Sequence, residues 1–82
     1  MAKKLKQDIS IGTNLKKYRL AAGMSQEIVA AKLQVQGLNI HRKIISQIEL
    51  GEYSIRVSVL LALVDLYHVP IQDFFADLER YE

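Results

Sequence analysis

Apolar residues recur along the chain at spacings of three and four, and alternation with a period of two never persists, so the pattern predicts helices throughout. A first helix, capped by Ser10, carries Ile11, Leu15, Tyr18 and Ala22 on its inner face and stops at Gly23. Ser25, followed by Gln26 and Glu27, opens a second helix with apolar positions Ile28, Val29, Ala30 and Leu33, and Gly37 closes it. Asn39 is placed to cap a third helix that ends at Gly51. A fourth has Val57, Leu60, Leu61, Val64 and Tyr67 on one side, until Pro70 disfavours helix at Val69. Ile71, Phe74, Phe75 and Leu78 define a short fifth. The expected fold is an all-α, compact five-helix globule: residues 1–9 form a flexible basic tail and residues 10–82 a single domain.

The third helix poses the functional question. In "HRKIISQIELGE", His41 to Glu52, the apolar side is Ile44, Ile45 and Ile48. Arg42, Lys43, Ser46 and Gln47 gather on the other side, and no carboxylate interrupts them before Glu49. Such a row suits a polyanion, although an ordinary solvated face explains the same residues. The charge distribution leans toward the first reading. The net charge is +2, but residues 1–56 carry +6 and residues 57–82 carry −4. That asymmetry is expected when one face meets an anion, with chance variation as the alternative.

Composition removes several classes. There is no cysteine among the 82 residues, hence no disulfide framework and no thiolate metal site. His41 and His68 lie far apart in sequence, so no metal is expected, and no cofactor. His68 fits a helix terminus, where positive charge is favoured. No run of eighteen apolar residues exists to span a membrane, and the lysines at the start lack the apolar stretch of a secretory leader; a cytoplasmic protein is expected. Ser46 and His41 have no third partner, and no glycine-rich phosphate loop occurs, so the reading is not an enzyme.

"IGTNLKKYRLAAGMSQEIVAAKL", "IISQIELGE" and "LLALVDLYHVPIQDFF" together resemble the lambda-repressor-like (XRE-type) helix-turn-helix domain of phage repressors and Cro, over roughly residues 10–76. Arg19 before Gly23, "SQE" opening the second helix and "ISQIELG" closing the third are the most specific marks. The resemblance implies a repressor-like transcriptional regulator, a homodimer that binds double-stranded DNA sequence-specifically with its third helix in the major groove. The positions that match its base-reading residues are His41, Arg42, Lys43, Ser46 and Gln47. Arg pairs with two acceptors of guanine, and Gln with the donor and acceptor of adenine. Gln26 matches a residue that meets a phosphate and braces the recognition helix, with Lys16, Lys17, Tyr53 and Arg56 as further backbone contacts. Arg19 and Glu49 match a buried structural ion pair. Lys3, Lys4 and Lys6 are either an arm along the groove or an idle tail.

The chain also departs from that family. Leu33 and Ile45 are separated by five more residues than in the common form, within "QVQGLNIH"; if these extend the second helix they add about 7.5 Å and about 1.4 turns. After Gly51 the family often has basic residues and a Pro-Ser cap, whereas here Glu52 is acidic, Ile55 replaces the proline and Arg56 the serine. Fewer cations imply weaker binding and a shallower salt dependence. Phe74, Phe75, Leu78 and Tyr81 are the candidate dimer surface. The alternative function is a protein-interaction module of the same fold, such as an antitoxin with a protein partner, favoured by the lengthened turn and Glu52.

Overall fold

The computed structural model describes residues 10–78. The tail over residues 1–9 with its lysines, and Tyr81, lie outside the described residues. Four α-helices follow one another, α1 (Gly12–Ala21), α2 (Gln26–Val35), α3 (Arg42–Glu49) and α4 (Val57–Tyr67), and a 3-10 turn, Ile71–Phe75, takes the place of the fifth helix. Among the described residues there is no strand.

Local chemistry explains most boundaries. Ser25 caps α2, its Oγ accepting from the Ile28 N–H at 3.1 Å. Ser10 stands one residue ahead of the N-cap position, which Ile11 occupies, yet its hydroxyl still accepts from the Gly12 N–H at 2.9 Å. At the far end of α2, the Gly37 N–H bonds Gln34 O at 2.9 Å and the Leu38 N–H bonds Leu33 O at 3.0 Å. This is a Schellman ending, and it needs the left-handed backbone that Gly37 adopts at φ 89°. His68 closes α4 in the same left-handed region, at φ 55°.

The α2–α3 connection decides one open alternative and corrects one expectation. The extra residues do not lengthen α2, because the Schellman bonds end it; they lie in the turn between Val35 and Arg42. Asn39 does not cap α3. The N-cap is His41, without a side-chain bond, because the chain first dips inward to bury Ile40 at 3% exposure. The Gln34 amide holds that dip by donating to Ile40 O at 2.8 Å.

One apolar cluster forms the core, with Leu15 from α1, Val29 and Leu33 from α2, Ile45 and Ile48 from α3, Val59 and Leu63 from α4, and Phe74 behind them. Each large aliphatic side chain so buried contributes about 1.5–3 kcal/mol. Phe74 meets Tyr18 and Tyr67 with ring centroids 5.8 and 6.3 Å apart. The Asn14 amide fastens the same segment to α1, donating to Phe74 O at 2.9 Å and Ala76 O at 2.8 Å. The backbones of α1 and α3 approach closely at Gly12, where an added Cβ would overlap the Glu49 carbonyl and stand 2.7 Å from the Ile48 carbonyl oxygen.

Several expected core positions turn outward. Ala22 is exposed, since α1 is already in its terminal turn there. Helix α4 is apolar nearly all round, so two stripes compete; Val59, Ala62, Leu63 and Tyr67 go inward, leaving Val57 and Leu61 exposed. In the 3-10 turn Ile71 and Phe75 face out, and Phe74, expected on the dimer surface, is fully buried. Leu78 packs against the core.

Candidate nucleic-acid interface

Helix α3 sorts its residues by face. Ile45 and Ile48 are buried and Ile44 half-buried, so the opposite side is left to Arg42 and Lys43, both exposed, and to Ser46 and Gln47, half-buried. His41, at the N-cap, is exposed beside them. All five candidate base-reading residues therefore share one outward surface.

Behind that surface lies a polar relay. Arg19 Nε donates to Glu49 Oε2 at 2.7 Å and Arg19 Nη2 to Glu49 Oε1 at 3.1 Å, a bidentate pair with both side chains nearly closed to water. Arg19 Nη1 donates to Met24 O at 3.0 Å, so the same guanidinium also ties down the α1–α2 turn. The hydrogen bond to Glu49 holds the Arg19 guanidinium above its ordinary pKa, against the opposing effect of burial. The one carboxylate of α3 is thus neutralised from within and adds little repulsion toward an anion at the outer face.

Gln26 extends the relay outward. Its Nε2 donates to Glu49 Oε1 at 3.1 Å, and its Oε1 accepts a long bond from Arg42 Nη1 at 3.4 Å. The first residue of α2 thereby connects the buried pair to the first residue of α3. Arg42 commits one of its five N–H donors to this contact.

The candidate backbone residues divide. Lys16 and Lys17 are both exposed, but they point differently. Gly12 and Arg19 mark the edge of α1 that meets α3. Helical geometry keeps Lys16 beside that edge and turns Lys17 well over a quarter turn away. Lys17 Nζ lies over the Tyr18 ring, 5.3 Å from its centroid. Tyr53 and Arg56 follow α3, both exposed, lining a shallow concavity with Glu52 and Ser54.

A helix-turn-helix family model matches residues 15–74, which contain this whole arrangement from Lys16 to Phe74. The chain belongs to the lambda-repressor-like helix-turn-helix family. Its fold is similar to the crystal structure of the DNA-binding domain of BldD, with a TM-score of 0.64 and 29% sequence identity. That likeness covers 79% of this chain and 87% of the other. No curated protein sequence matches the chain.

The helix-turn-helix domain also contains functional supports that sequence reasoning missed. Asn14 and Gln34 act over a distance, one clamping the C-terminal segment and the other the lengthened turn. Nothing about an isolated Asn or Gln marks such a role. The Gln26–Arg42 contact was half visible, since Gln26 was expected to brace α3 but its partner was not. Among the described residues no helix is long and apolar enough to cross a membrane, and no three His, Asp or Glu side chains converge as a metal site would require.

Proposed function

We propose that this helix-turn-helix domain binds duplex DNA as a transcriptional regulator, placing α3 in the major groove, and that it acts as a homodimer on a palindromic site. The observation that carries the reading is the outward row of His41, Arg42, Lys43, Ser46 and Gln47, with Glu49 withdrawn into its pair with Arg19. Arg42 is oriented by Gln26, and its remaining donors can meet the O6 and N7 acceptors of guanine. Gln47 offers the donor and acceptor that adenine needs, and Lys43 reaches guanine or a phosphate. Each well-formed bidentate contact contributes about 1–3 kcal/mol of discrimination. Lys16 and Arg56 stand as the backbone cations, Tyr53 and Gln26 as neutral donors, and Lys17 as the weakest member of the set because of where it points.

The test is fluorescence anisotropy with a mixed-sequence duplex and a single strand of equal length, each over a range of salt. Binding of the duplex that weakens with salt, and exceeds binding of the single strand, is the expected result. Absence of duplex binding at low salt would remove the proposal and leave the domain as a module for a protein partner.

A further inference from the structure

The lengthened turn between α2 and α3 is held by its own bonds. After the Schellman ending of α2, the Ile40 N–H bonds Leu38 O at 2.9 Å, and the Gln34 amide donates to Ile40 O at 2.8 Å. Leu38 packs against the core and Ile40 is buried within it. Asn39 stands between these two inward anchors, at the tip of the γ-turn that the Leu38–Ile40 bond closes. It is exposed, and among the described residues its side-chain amide makes no hydrogen bond. A fixed turn thus presents two N–H donors outward with nothing inside the domain to receive them.

The surroundings say what those donors meet. Asn39 and His41 border one open concavity, together with Gln34, Gly37 and Leu38. His41 also begins the outward row proposed to face DNA, so a duplex on that row comes up against the concavity. From Ile28 to Ile48 the chain has no Asp or Glu, and its cations there, Lys32, Arg42 and Lys43, are all exposed. That field favours an anion. Asn39 lies two residues before the N-cap of α3, past the end of the base-reading face. A helix laid in the groove reaches bases along its face, and what lies past its end meets the strand that borders the groove.

We infer that Asn39 is a further DNA-binding residue, its amide donating to a backbone phosphate beside the bases that α3 reads, with Gln34 holding the turn in place. Asn side chains are among the ordinary donors to phosphate, and such contacts fix register without carrying a base preference. Asn39 falls within the stretch that is longer here than in the common form of the family. The inference deepens the proposed function and rests on its DNA reading.

Asn39→Ala and Asn39→Lys test it, in fluorescence anisotropy of the full chain with duplexes of several sequences over a range of salt. The backbone at Asn39 lies outside the left-handed region, so both replacements adopt it. Circular dichroism melts identify a variant that fails to fold, and the other then decides. Asn39→Ala should melt with the parent yet bind every duplex about tenfold more weakly, as loss of one hydrogen bond to a charged group does. A neutral donor releases no counterion, so the salt slope of Asn39→Ala should match that of the parent, whereas Asn39→Lys should steepen it by about 0.9 per subunit. A folded Asn39→Ala protein that binds within about twofold of the parent overturns the inference, as does an unchanged slope in Asn39→Lys. A loss confined to one duplex sequence would make Asn39 a base reader and overturn the phosphate assignment. In each of these cases the parent still binds duplex, and the DNA reading stands. A parent that binds no duplex removes the DNA reading and this inference with it.

Discussion

Replacing Glu49 with alanine removes a carboxylate from a place where its side chain is 5% and that of Arg19 7% exposed. Three hydrogen bonds disappear together, two from Arg19 and one from Gln26. Arg19 keeps only its bond to Met24 O, and the guanidinium remains charged because its pKa is far above neutrality. Leaving one partner of a buried pair uncompensated costs about 3–5 kcal/mol. A domain of this length has a total stability of about 4–12 kcal/mol, taking 0.05–0.15 kcal/mol per residue. Glu49→Ala should therefore consume a quarter or more of the stability, and at the low end of the range unfold the domain. In a melt followed by circular dichroism, Tm should fall by at least about 12 °C. Substituting both partners by apolar residues, Arg19→Met with Glu49→Leu, should restore much of the loss, because no charge is then stranded. A single Glu49→Ala protein that melts within about 2 °C of the parent would show that the pair stabilises nothing, contrary to the desolvation argument.

Gly12→Ala adds a methyl that would overlap the Glu49 carbonyl of α3 and stand 2.7 Å from Ile48 O; we expect a net loss of at least about 1–3 kcal/mol in urea titration despite alanine's better helix propensity, and a gain would contradict the close approach. Burial raises the Tyr67 phenol above its ordinary pKa of 10.0, with the Glu49 carboxylate adding to the effect. Its contribution is thus complete below about pH 10, and is lost at about 1.4 kcal/mol per unit as pH rises beyond that, while only the unfolded chain ionises. Tyr67→Phe should flatten this alkaline decline in unfolding measurements at about pH 9 and about pH 11, and an unchanged slope would assign it elsewhere. In the salt dependence of duplex binding, Lys16→Ala should reduce the slope by about 0.9 per subunit and Lys17→Ala should leave it nearly unchanged. Equal effects would contradict the orientations of these two side chains.

Much of this architecture was legible from the chain, and for identifiable reasons. Ser25 and the glycines after each of the first three helices act locally, so spacing alone located α1, α2 and α3 to within a few residues. The sorting of α3 was readable because its two faces differ in chemistry. On α4 both faces are apolar, and only packing decided which stripe went inward. Ile40 was likewise invisible as a core residue, since it is one apolar position in an irregular turn and belongs to no periodic run. The relay from Arg19 through Glu49 and Gln26 to Arg42 joins residues up to thirty positions apart. Family resemblance supplied its ends, and the fold supplied the link between Gln26 and Arg42.

The central claim is that α3 reads bases. It is tested most directly by selecting bound duplexes from a random pool at near-physiological salt, beside an Arg42→Ala/Gln47→Ala protein shown to fold by its melt. One palindromic motif, recovered by the parent and lost or relaxed in the double variant, is the predicted result. Recovery of the same motif by both proteins would contradict base reading by these two side chains, and duplex binding with no motif at all would reduce the interaction to backbone attraction.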